Sequence, residues 1–90
     1  MYIGKTIGTV VATRKDENLV GSKLLIIQPL NVDLEPKGDS LVAVDTVGAG
    51  IGELVLYTKG TAARIAARKM DSPMDVSIVG IIDEVDVRKC

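Results

Sequence analysis

Valine and isoleucine recur along this chain in short runs cut by glycine, aspartate, asparagine and proline, and no other feature constrains the fold as tightly. β-Branched side chains are stiff at χ1 and suit a pleated surface, so runs of this length read as strands. The first, Ile3 to Thr13, places Ile3, Ile7 and Val11 on one face, while Gly4 and Gly8 interrupt the other. Glycine inside a strand marks a bulge or sharp bend, and a long strand that bends can serve two sheets of a small barrel. Arg14 to Ser22 is polar, closes on Gly21 and reads as an exposed loop. In the next run, Lys23 to Leu30, the core Leu24-Leu25-Ile26-Ile27 is apolar on both faces, which calls for a barrel on one side and a neighbouring element or subunit on the other. Pro29, Pro36 and Gly38 punctuate the following loop, and Glu35-Pro36-Lys37-Gly38 has the residues of a type I turn.

A third strand is expected over Ser40 to Val47, with Val42, Val44 and Thr46 alternating against Leu41, Ala43 and Asp45. Gly48-Ala49-Gly50-Ile51-Gly52 breaks it before a fourth, Glu53 to Thr58, and the two are expected to form an antiparallel pair. Ala62 to Lys69 is the one good helix-forming segment, with Thr61 as its expected N-cap and its basic residues late. Asp71-Ser72-Pro73 ends it, and Asp75 to Val87 makes a last strand whose centre, Ile78 to Ile82, is apolar on both faces. The expected fold is mainly β: a small five-stranded OB-like antiparallel barrel with one short helix between the fourth and fifth strands. Closure disposes of exposed edges. In the usual OB order the helix follows the third strand, so the likeness is architectural. Ninety residues make one domain, 1–90. A chain of that length buries only about 60–65% of the surface its unfolded form exposes, which favours self-association.

Function classes fall away on composition. Eleven Lys and Arg against twelve Asp and Glu leave a net charge of −1, which offers no basic field to nucleic acid or to a membrane surface. Tyr2 and Tyr57 are the only aromatics, too few to form a stacking platform for single strands. No stretch approaches the roughly 20 apolar residues that cross a bilayer, and Met1 to Lys5 lacks a secretory pattern, so a cytoplasmic protein is expected. With no His and a single Cys, Cys90, the chain lacks the usual general base, metal ligands and any intrachain disulfide; no cofactor, metal or catalytic residue is expected. Gly48 to Gly52 invites a phosphate-binding reading, but GxGxxG would require glycine where Glu53 stands and a helix where a strand follows. Gly48, Gly50 and Gly52 are therefore read as residues of backbone shape. Asp45, between Val44 and Thr46 in an apolar strand, is the carboxylate expected to be partly buried and to need a partner. Arg64, flanked by alanines near the expected helix start, carries its charge at the unfavourable end of the dipole and so wants a specific carboxylate. Arg68 reads as a solvated face, and Asp83 and Glu84 make a weaker case than Asp45.

Taken in order, several of these stretches resemble one family. They are Ile7 to Thr13, Leu19 to Gln28, Ala43-Val44-Asp45-Thr46-Val47-Gly48-Ala49-Gly50-Ile51-Gly52-Glu53, Gly60 to Arg64, Pro73-Met74-Asp75 and Ile78 to Asp83. The set spans nearly the whole chain and is similar to the EutN/CcmL vertex proteins of bacterial microcompartments. The resemblance implies a non-catalytic shell protein whose homopentamers occupy the five-fold corners of a polyhedral shell, beside hexameric shell proteins. It makes Asp45, Thr46, Gly48, Gly50, Gly52, Glu53, Arg64 and Asp83 the candidates for assembly or loop shape. Arg64 is expected to form an ion pair across or beside a subunit boundary, with Asp45 or Asp83 as its first partners. The alternative from another class is a small OB-like binding or adaptor module for a ligand or another protein.

Overall fold

The chain bends within its first strand. A computed structural model describes residues 1–12, 21–68 and 74–88. In it Tyr2–Val10 (β1) pairs antiparallel with both Lys23–Leu30 (β2) and Leu54–Lys59 (β4). The β1–β2 register slips between Thr6 and Gly8, so Ile7 is the bulged residue. Gly4, before the bulge, lies beneath the Tyr57 ring: a Cβ there would stand 3.1 Å from Tyr57 Cε1. Gly8, after it, meets the outer side chain of Ile26. The expectation that both glycines share a face is corrected by that slip, because one extra residue reverses the pleat.

Leu41–Asp45 (β3) and Val76–Ile81 (β5) complete a closed barrel in the order β1-β2-β3-β5-β4, with the helix Gly60–Ala67 (α1) between β4 and β5. The expected pairing of the third and fourth strands does not occur: β3 pairs with β2 and β5, and β4 with β1 and β5. Backbone bonds from Gly52 N–H to the Thr6 carbonyl (2.7 Å) and from Thr6 N–H to the Glu53 carbonyl (3.0 Å) carry the chain across the barrel end onto β1 instead of back along β3. The β3–β5 seam is parallel, through Val44 with Ser77 and Asp45 with Ile78, so the barrel is antiparallel at every other junction.

Local details also differ from expectation. The reversal after β2 lies at Asn31 to Leu34, where the Leu34 N–H donates to the Asn31 carbonyl and Leu34 itself is left-handed at φ 64°. Glu35 to Gly38 makes no such turn because Pro36 bridges to Leu30 and the Lys37 N–H reaches the Pro29 carbonyl. The helix starts at Gly60, so Thr61 is inside it and is not its cap; its Oγ1 accepts from Arg64. Arg64 thus occupies the last turn, where a cation suits the helix dipole, opposite to the position read from sequence. The loop expected over 14–22 lies largely outside the described residues, as do the helix stop at 71–73 and Cys90.

Leu25, Ile27, Ala43, Val55, Tyr57 and Ile78 fill the barrel, each at most 2% exposed. Their strand neighbours Leu24, Ile26, Val42 and Leu56 point the other way, which is the two-faced apolar character the runs announced. Ser77 fastens α1 to the barrel by donating to the Ala63 carbonyl at 2.9 Å.

Candidate functional site

Asp45 ends β3 with its side chain only 2% exposed, and everything around it serves to keep that charge satisfied. Its Oδ1 accepts the N–H groups of Val47 (3.0 Å) and Gly48 (3.1 Å), and its Oδ2 accepts that of Ala49 (2.9 Å). A side chain this short reaches backbone donors two to four residues ahead, which is why aspartate begins so many tight turns. Lys23, opposite Asp45 in the β2–β3 register, brings its Nζ to 3.7 Å from Oδ2 and donates to the Ala49 carbonyl at 2.9 Å. Glu53 closes the other end of the loop. Its carboxylate accepts the Gly50 N–H, and its own N–H donates to the Gly50 carbonyl. Thr46 Oγ1 donates to the Ile78 carbonyl at 2.6 Å, tying the loop base to β5.

From Val47 to Gly50 every backbone N–H is therefore held by one of the chain's own carboxylates. An anion nest requires such donors to be free. The loop has the residues of a phosphate cradle, but its donors are already taken by Asp45 and Glu53. Gly48 (φ 79°) and Gly52 (φ 87°) hold left-handed conformations that other residues resist. Gly50 does not, and its requirement is space: a Cβ there would lie 3.1 Å from Glu53 Oε1. Ile51, at the loop tip, is 60% exposed.

The other candidates stand apart from this cluster. Arg64 is half-buried and donates to the Met74 carbonyl and to Thr61, both at 3.3 Å; among the described residues no ion pair within the chain joins it to Asp45 or Asp83. Asp83 is exposed beyond β5. No group of three or more acidic, His or Cys side chains among the described residues could hold a metal ion.

Two features escaped the sequence reading. Lys23 as the partner of Asp45 depends on strand register, for which no local signal exists. At the opposite end of the barrel Tyr2 and Tyr57 stack across β1 and β4 with ring centroids 5.3 Å apart, and Lys59 Nζ sits 4.8 Å from the centre of the Tyr2 ring. Burial raises the Tyr57 phenol above its usual pKa, with the neighbouring Tyr2 as a second cause. An open groove of about 730 Å³ adjoins this pair, lined also by Pro29, Val32 and Leu41.

With this geometry in hand, comparison with known proteins is specific. A microcompartment shell vertex protein, GrpN of Rhodospirillum rubrum, is 50% identical over 86 residues, which cover 96% of this chain and 97% of GrpN. A carboxysome shell vertex protein, CcmL of Synechocystis, is 47% identical over 87 residues, covering 97% of this chain and 87% of CcmL. The structure of pentameric GrpN superposes with a TM-score of 0.88 across 99% of this chain and 100% of that one. CcmL of Gloeobacter violaceus gives 0.90 across 97% and 90%, at 42% identity. Residues 1–83 match the family described as ethanolamine utilisation protein EutN/carboxysome, and the chain belongs to that EutN/CcmL family.

Proposed function

We propose that five copies of this chain close into a ring that caps a five-fold corner of a bacterial microcompartment shell and catalyses nothing. The observation that carries this reading is end-to-end likeness, in sequence and in fold, to the pentameric shell protein GrpN. The geometry of shells supports it: six-fold tiles alone cover a plane or roll into tubes, and a closed polyhedron needs five-fold units where the sheet bends. A ring is built from one heterologous contact repeated until rotation closes it. The site chemistry points the same way. Asp45 and Glu53, the carboxylates best placed for acid–base work, are occupied in holding a loop, so that Asp45, Thr46, Gly48, Gly50, Gly52 and Glu53 act together as a shaped surface element. In this proposal Arg64 and Asp83 belong to surfaces offered to neighbours, and the ring meets hexameric shell proteins through its rim.

Native mass spectrometry of the purified chain is the direct test. One dominant species at five chain masses is expected, and a monomer at micromolar concentration overturns the reading. In a cell producing the cognate shell and no other pentamer-forming paralogue, loss of this chain should give elongated or leaky compartments by electron microscopy. Normal closed polyhedra would remove the corner assignment.

A further inference from the structure

The groove beside the tyrosine pair brings together polar groups that the chain itself leaves without partners. Much of its lining comes from the turn that follows β2, and that turn is tied down. Asn31 Oδ1 accepts the N–H groups of Asp33 (2.9 Å) and Glu35 (3.0 Å), the Lys37 N–H reaches the Pro29 carbonyl, and Gln28 Nε2 donates to the Gly38 carbonyl at 3.0 Å. Leu30, Val32 and Leu41 make part of the lining apolar. Tyr57 also lines the groove although it is 2% exposed, and its hydroxyl makes no hydrogen bond within the chain. Among the described residues Thr6 Oγ1 is the one side-chain oxygen or nitrogen that is both sealed from solvent and unpartnered. The Tyr57 oxygen therefore touches solvent, and the groove is where it does so. Lys59, held over the Tyr2 ring, and Lys37 border the same space; among the described residues neither forms an ion pair, and Asp39 is the single carboxylate of the lining.

We propose that this groove binds a small organic carboxylate with an apolar body: the Tyr57 hydroxyl donates to the carboxylate, Lys59 and Lys37 supply the opposite charge, and Leu30, Val32 and Leu41 cover the body. A buried ring whose hydroxyl meets solvent at one point is a fixed donor waiting for an acceptor, and a charged acceptor makes the stronger bond. Burial first, and Tyr2 second, raise the Tyr57 phenol above its usual pKa, so it keeps the proton it donates throughout the neutral range. Charge selects an anion, since two unpaired lysines face one aspartate. A ligand cation would have to compete with Lys59 for the Tyr2 ring. The lining selects an anion that carries hydrocarbon, because a bare phosphate stays hydrated and gains nothing from leucine and valine. A groove of about 730 Å³ with a few convergent polar groups on an apolar lining has the size and make-up of a small-molecule site. Every group in the proposal comes from one chain, so it stands apart from the ring reading.

The chain carries its own reporter, because Tyr2 and Tyr57 are its only aromatic residues and both stand at the groove. The full chain is titrated with three probes that do not absorb where tyrosine does: cyclohexanecarboxylate, its neutral counterpart cyclohexylmethanol, and acetate, which has the charge without the body. Tyrosine fluorescence should change saturably with cyclohexanecarboxylate, and the other two should bind at least about tenfold more weakly. Calorimetry, which does not depend on the reporter, then compares Tyr57→Phe and Lys59→Gln with the parent; each should weaken cyclohexanecarboxylate about tenfold or more with unchanged circular dichroism. Should Tyr57→Phe disturb the fold, Val32→Asp, on the exposed turn, sets a carboxylate in the groove and should abolish binding. No saturable change up to about 10 mM cyclohexanecarboxylate overturns the site. Equal binding of cyclohexylmethanol overturns the anion assignment, and equal binding of acetate overturns the role of the apolar lining. Affinity that survives both Lys59→Gln and Val32→Asp places the ligand elsewhere on the chain and overturns the proposal.

Discussion

Asp45 acts as a ligand to its own backbone, and its removal separates the cost of a lost charge from that of a lost shape. Asp45→Ala leaves three loop N–H groups without an acceptor and Lys23 without its carboxylate. Hydrogen bonds to charged groups contribute roughly 1.5–3 kcal/mol. A loss of that order is expected in urea unfolding, with Asp45→Asn milder because its amide oxygen still accepts. Equal losses for the two variants would show that the charge, not the acceptor, holds the loop. The sequence made this residue conspicuous, a carboxylate in an apolar strand, but did not point to Lys23 as its partner within the chain. Lys23 lies 22 positions away and faces Asp45 only because β2 and β3 pair in one particular register. Tyr57 yields a second test. Burial first, and Tyr2 second, raise its phenol pKa in the folded chain. Below the ordinary tyrosine pKa of about 10 both states keep the proton and the folded chain is not penalised. Above it the unfolded chain releases its proton first, so stability should fall with rising pH until Tyr57 ionises in the folded state. Denaturant midpoints across that range should decline less in Tyr57→Phe; identical declines would place the cause elsewhere.

At the level of elements, the glycines of the sheet have unequal duties. A Cβ at Gly4 meets Tyr57 Cε1 at 3.1 Å and the Gln28 carbonyl oxygen at 3.3 Å, and backbone yields little; at Gly80 the nearest atom is Leu56 Cδ1 at an ordinary 3.6 Å. Overpacking costs about 1–3 kcal/mol, so Gly4→Ala should lower the unfolding midpoint well beyond Gly80→Ala, and a reversed order would refute the packing argument. Much of this architecture was legible. Strand existence followed from the Val and Ile runs, the single helix from its alanines, and the bend of β1 from Gly4 and Gly8. Partner choice was not legible. Two strands flanking a glycine loop look like a hairpin, and only the bonds from Gly52 to Thr6 and from Thr6 to Glu53, between residues far apart in sequence, show that the loop hands the chain to β1. The turn after β2 was misplaced for a related reason, since Pro36 suits a turn but here bridges to Leu30. The helix boundary slipped because Gly60, at φ 65°, opens the helix in place of a hydroxyl cap.

For the whole molecule, assembly and folding should be linked. A species that binds only the folded chain raises its stability by mass action, and in a ring that species is the neighbouring copy. The melting temperature is therefore expected to rise with protein concentration over about a hundredfold range, read by circular dichroism, whereas a temperature that does not move would mean that the barrel stands alone. The parallel seam between β3 and β5 has a further consequence for synthesis. β1 finds partners at Lys23–Leu30 and Leu54–Lys59, but β3 and β4 keep open edges until Val76–Ile81 is available to join them. Open edges recruit other strands, and contacts this distant form late. On the ribosome, then, the barrel closes only after β5 has been made. A prematurely terminated product lacks β5 and leaves the edges of β3 and β4 bare, which marks it for degradation or aggregation before it could be built into a larger structure.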